Sequence, residues 1–132
     1  DGGNGVEQLW INTEQDNHHG QVVKIGSYIY GSNWIDNAKG NWCCVHWETG
    51  ETMYEKTWQT KGSITAADGM LYCYEERRGN LALVRPTPDD FEIVSSFTIR
   101  QGSGPHWTQP VLHNGVLLIR HGNALMAYDV KE

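Results

Sequence analysis

The side chains of widest chemical reach in this chain stand in polar loops: His18-His19, Trp34, Lys61 and His106-Trp107. Imidazoles donate and accept hydrogen bonds and ligate metals near neutral pH, an ammonium attracts anions, and an indole offers a flat apolar platform. Gathered at one place, these groups would bind a small molecule or a peptide. Two other uses compete. The polar groups could simply hydrogen-bond loop backbone and water, or His18 or His19 could join His106 on a transition metal. Neighbouring histidines on a strand diverge, and no His-x-x-x-His or Cys-x-x-Cys spacing occurs. We therefore assign His18, His19, Trp34, Lys61, His106 and Trp107 to ligand binding and no residue to a metal.

Catalysis finds less footing. There is no Gly-x-Ser-x-Gly element, no phosphate-cradling glycine loop and no cysteine set beside a histidine base. Asp89-Asp90 falls on a turn, and Ser103 lies in a glycine-rich connector. Glu75-Glu76-Arg77-Arg78 reads as a self-compensating, solvent-facing turn. No catalytic residue is assigned.

The chain of 132 residues carries 10 basic and 16 acidic side chains, a formal charge of −6 that repels phosphate backbones and anionic lipid surfaces. Nucleic acid and membrane partners are not expected, and no apolar run reaches the roughly 18 residues of a membrane helix. Six Trp, six Tyr and 15 Gly against two Phe favour strands joined by tight turns.

Positioning comes from a repeat. A glycine opens a short apolar run at Gly26-Ser27-Tyr28-Ile29-Tyr30, Gly69-Met70-Leu71-Tyr72-Cys73 and Gly115-Val116-Leu117-Leu118-Ile119, spaced by 43 and 46 residues. A Gly-Asn pair opens a second run at Gly40-Asn41, Gly79-Asn80 and Gly122-Asn123. Asp68-Gly69 and Asn114-Gly115 are hairpin dipeptides. Each unit thus reads as four short antiparallel strands, the third unit lacking its last, with one further strand over residues 6–11 (Val6-Glu7-Gln8-Leu9-Trp10-Ile11). Four strands per unit of this length describe the blade of a β-propeller. Counting back eight residues from each leading glycine aligns His18, Lys61 and Trp107. Such loops would converge on the mouth of a central channel, and the long segment 32–39 would bring Trp34 there.

The repeat resembles the pyrroloquinoline-quinone-like family. The likeness rests on Gly115-Val116-Leu117-Leu118-Ile119, Gly122-Asn123-Ala124-Leu125-Met126-Ala127-Tyr128-Asp129 and the turn Glu48-Thr49-Gly50-Glu51. His46 and Arg85 stand where the repeat has Asp, and the second unit has a Pro-rich turn instead of Thr-Gly. The resemblance implies an all-β chain of about three blades: residues 1–15 as the fourth strand of a preceding blade, then blades at 16–58, 59–101 and 102–132. Three blades cannot close a ring, so the other blades belong to a longer chain or to further copies of this one. It also implies a periplasmic or secreted bacterial protein, as a non-catalytic ligand- or protein-binding scaffold needing no cofactor. The alternative is part of a quinoprotein alcohol dehydrogenase, which would use the quinone, calcium and a vicinal disulfide. Cys43-Cys44 is adjacent as that disulfide requires, yet the repeat register sets both on a third strand, one packing inward and one outward.

Overall fold

A computed structural model describes residue 3 and residues 5–130. Asp1, Gly2, Asn4, Lys131 and Glu132, which fall within the segments expected at 1–15 and 102–132, lie outside the described residues. The described chain is all-β: eleven strands and no helix. They form three antiparallel sheets in chain order. The first holds β1 (Val23–Ile25), β2 (Tyr28–Ser32), β3 (Trp42–His46) and β4 (Thr52–Lys56). The second holds β5 (Gly62–Ala67), β6 (Met70–Glu75), β7 (Asn80–Arg85) and β8 (Glu92–Thr98), and the third β9 (Val111–His113), β10 (Val116–His121) and β11 (Ala124–Asp129).

The hairpin dipeptides act as read. Ala67 pairs with Met70 and His113 with Val116, so each turn holds two residues. Both turn residues have positive φ, 51° and 73° at Asp68-Gly69 and 49° and 74° at Asn114-Gly115, the twist that continues into antiparallel strands. The units also share a defect: the ladder slips between Cys44 and Val45 in the first sheet and between Leu83 and Val84 in the second, each four residues past the Gly-Asn glycine. A bulge at one register position in two units bends both sheets alike.

The sheets stack face to face with the second in the middle, and period-two alternation divides its side chains between two cores. Leu71, Cys73, Ala82 and Val84 meet Tyr30, Trp42, Cys44 and Tyr54 of the first sheet. Tyr74 and Leu81 meet Leu117 and Ile119 of the third. Phe91 stacks on Trp42, rings 5.6 Å apart and 15° from parallel, and closes the first core at its margin.

Residues 6–11 form no strand. Val6, Leu9 and Ile11 are exposed, and the segment joins no sheet ladder. The chain there is tied instead to the β3–β4 turn. Trp10 Nε1 donates to the Trp47 carbonyl at 2.9 Å, and the indole lies over Gly50, where a Cβ would come within 2.6 Å of the ring. Asn12 then donates to the Gly50 carbonyl and accepts from the amides of Glu14 and Gln15. Residues 12–17 continue along the first sheet, with Gln15 on the Ser32 carbonyl and Trp34 N–H on that of Asp16.

Glu75 corrects the solvent-facing reading of the turn that follows β6. It is fully buried, and its carboxylate accepts from the amides of Arg77, Arg78 and Asn80 and from Asn80 Nδ2, at 2.8–3.0 Å. A buried charge is tolerated when its lone pairs are filled in this way. Glu75→Ala strips four donors of their acceptor at once and is expected to cost about 3 kcal/mol or more in urea unfolding; a loss below about 1 kcal/mol would contradict this role.

Candidate functional site

The loops preceding the first and third sheets, together with the β2–β3 loop, bring four of the six assigned residues to one surface. His18 and His19 have ring centroids 3.8 Å apart, Trp107 lies 4.7 Å from His19, and Trp34 lies 6.3 Å from His18. Residues 18–19 form a bend rather than a strand, so the expected divergence of the two imidazoles does not occur. Asn17 Nδ2 reaches the Gly20 carbonyl at 3.3 Å, and Gly20 packs so close to Gly62 that a Cβ would come within 2.6 Å of its carbonyl oxygen. The absent side chain therefore lets the His18-His19 bend sit against the start of β5. Trp107 stays 53% exposed and Trp34 39%, so both indoles present apolar surface outward.

Lys61 lies beneath this platform instead of on it. Its side chain is 1% exposed, and Nζ donates to the carbonyls of Asp36, Asn37 and Lys39 at 2.8, 3.2 and 3.4 Å. Glu76 Oε1 completes the shell at 3.0 Å. An ammonium so enclosed is not available to an anion from solution, which corrects its assignment as a ligand-binding group. It closes the β2–β3 loop and fixes Glu76.

Glu76 is the residue missed by sequence reasoning. It is buried, and its backbone is held on both sides, N–H donating to the Lys61 carbonyl and C=O accepting from His106 N–H, both at 3.0 Å. With Oε1 on Lys61, Oε2 faces His18 Nδ1 at 3.9 Å. A signal for it existed: the two-residue turn at Asp68-Gly69 sets the β5–β6 register, and that register carries Lys61 opposite Glu76. One donor atom each from His18, His19 and Glu76 lie within 4.8 Å of one another, a set able to hold a metal ion.

His106 turns away. It is 5% exposed, stacked on His121 with centroids 3.6 Å apart, and its Nδ1 is hydrogen-bonded to the Tyr74 hydroxyl. Burial first and the His121 ring second hold its pKa below the ordinary 6.5, against a smaller opposing pull from Glu75. We assign the Tyr74 hydroxyl as donor to this neutral ring. His121 in turn places Nδ1 2.7 Å from the Gln101 carbonyl and Nε2 2.5 Å from that of Gly104. Gly79, at φ 75°, makes room, since a Cβ there would fall 2.3 Å from His106 Cε1. The pair braces the connector between the second and third sheets and does not enter the surface cluster, so His106 is structural.

Cys43 and Cys44 are both free and buried on β3. Cys44 packs in the first core, while Cys43 pairs across the ladder with Gly31, whose face is covered by Gln15 and Val22. Burial pushes the thiols up, to about 12 and about 11, so neither is a ready thiolate.

The chain matches no protein-family model and no curated protein.

Two consequences are measurable. Lys61→Met leaves Glu76 and three carbonyls without their buried cation and should cost about 3–5 kcal/mol in chemical unfolding; a cost below about 1 kcal/mol would return Lys61 to the surface. Because the folded pKa of His106 is depressed, its contribution to stability is complete above the unfolded value near 6.5 and is lost as pH falls through that value toward the folded one. The melting temperature of the wild type should drop over that interval more than that of His106→Gln, and parallel pH profiles would refute it.

Proposed function

We propose that this chain is a non-catalytic binding module, its three sheets being blades of a pyrroloquinoline-quinone-like β-propeller. The architecture supports the blade reading. The sheets follow one another in chain order and pack face to face, with β1 and β2 close to β5 and β5 close to β9, while β4 and β8 lie at the far edges of their sheets. Strands that converge on one side and spread on the other are what radial blades require. The remaining blades come from a longer chain or from other copies, in a periplasmic or secreted setting.

The observation that carries the binding reading is the surface cluster of two exposed indoles around two touching imidazoles. Core packing does not call for such a group, and its elements are the ones that bind an organic molecule with a flat apolar face and hydrogen-bonding edges. Trp107 would supply the platform, Trp34 a side wall, and His18 and His19 the polar contacts. The quinoprotein alternative gains nothing from Cys43 and Cys44, which β3 directs to opposite faces and buries separately.

A library of small aromatic and saccharide compounds, screened by saturation-transfer NMR, tests this. Trp107→Ala should weaken bound compounds by about 2 kcal/mol, roughly thirtyfold, and leave the melting temperature nearly unchanged because the indole is half exposed. Equal binding by the variant would place the ligand elsewhere.

A further inference from the structure

The surface cluster holds a second chemical possibility that the indoles do not explain. We infer that His18, His19 and Glu76 form a binding site for a divalent transition-metal ion of the zinc type. The inference rests on reading this rim as a binding site, and it names an ion as one of its occupants.

The donor set comes first. Two imidazoles and one carboxylate suit zinc, cobalt or nickel, whereas calcium and magnesium prefer all-oxygen shells. Two histidines and one glutamate that leave a further position for water form a recurrent open zinc shell. The three donor atoms lie within 4.8 Å of one another.

The spacing is next. His18 Nδ1 and Glu76 Oε2 are 3.9 Å apart, too far for a direct hydrogen bond. An ion about 2.0–2.1 Å from each donor fits between them, and a tetrahedral angle would draw the two atoms to roughly 3.3 Å. His18 and His19 are exposed, so each ring can rotate by that amount without disturbing the core.

Preorganisation is the third element. Glu76 cannot swing away, because Lys61 holds Oε1 and two backbone hydrogen bonds hold its main chain. The Lys61 charge lies close, but three carbonyl dipoles and Oε1 already share it, which leaves Oε2 for the ion. Trp34 and Trp107 flank the imidazoles, at 6.3 Å from His18 and 4.7 Å from His19.

Calorimetric titration of the chain with zinc chloride, and cobalt chloride followed by visible absorption, tests the site. The wild type should bind one ion and give the intense visible bands of four- or five-coordinate cobalt. His18→Asn and His19→Asn alter exposed side chains and leave the core intact, and each should lose affinity by about 10–100-fold or more. Glu76→Gln should do the same where it remains folded by circular dichroism. No binding by the wild type, or binding that both histidine variants keep unchanged, overturns the inference. The organic-ligand screen separates this failure from that of the rim itself. Trp107-dependent binding without metal binding removes the ion alone, and triad-dependent metal binding without organic binding upholds the ion while removing the proposed ligand.

Discussion

A buried ammonium organises this molecule. Removing the Lys61 charge from water is costly unless partners replace the lost hydration, and the chain supplies four: the carbonyls of Asp36, Asn37 and Lys39 and the Glu76 carboxylate. Those partners come from two sheets. The long β2–β3 loop must fold over Lys61 to deliver its carbonyls, and in doing so it sets Trp34 beside His18. The end of β6 must present Glu76, and in doing so it points a second carboxylate oxygen at the same histidine. The surface cluster is thus the outer side of an electrostatic knot.

The same end of each sheet carries a different polar device at one repeat position. Ser32, Glu75 and His121 each end a second strand, and each is buried. Ser32 Oγ donates to the Gly62 carbonyl and accepts from Gly62 N–H, joining the first sheet to the second. Glu75 caps its own turn, and His121 bridges the carbonyls of Gln101 and Gly104 while stacking on His106. Sequence divergence between the units therefore has a structural use: one position serves as inter-sheet clamp, turn cap and connector brace in turn. The hydrophobic repeat supplies three similar sheets, and these polar substitutions make each junction distinct.

Much of the fold was legible in the residues. Asp68-Gly69 and Asn114-Gly115 specify two-residue turns by their tolerance of positive φ, and the runs opened by the leading glycines and by the Gly-Asn pairs fall on β2, β6 and β10 and on β3, β7 and β11. The convergence of His18, His19, Trp34 and Trp107 was legible too, because His18 and Trp107 stand at equal offsets before their leading glycines and the long segment 32–39 carries Trp34. What failed depended on orientation and partners. Lys61 and His106 occupy the expected positions along the chain, but burial decides that one becomes a structural cation and the other a stacked ring between sheets. Glu75 and Glu76 look like exposed charge beside Arg77 and Arg78 until the β5–β6 register sets Lys61 across from Glu76 and the Gly79 turn folds four donors onto Glu75. Residues 6–11 have the composition of a strand, but a strand exists only where an edge accepts it.

The central claim is that Lys61 and Glu76 couple the β2–β3 loop to the histidine bend across two sheets. Backbone amide chemical shifts of Glu76→Gln against the wild type test it most directly, since the substitution keeps the shape and removes the charge. The account predicts that the resonances of His18, His19, Lys61 and residues 34–39 move together while those of β10 and β11 stay in place. Changes confined to residue 76 and its immediate neighbours in sequence would contradict it.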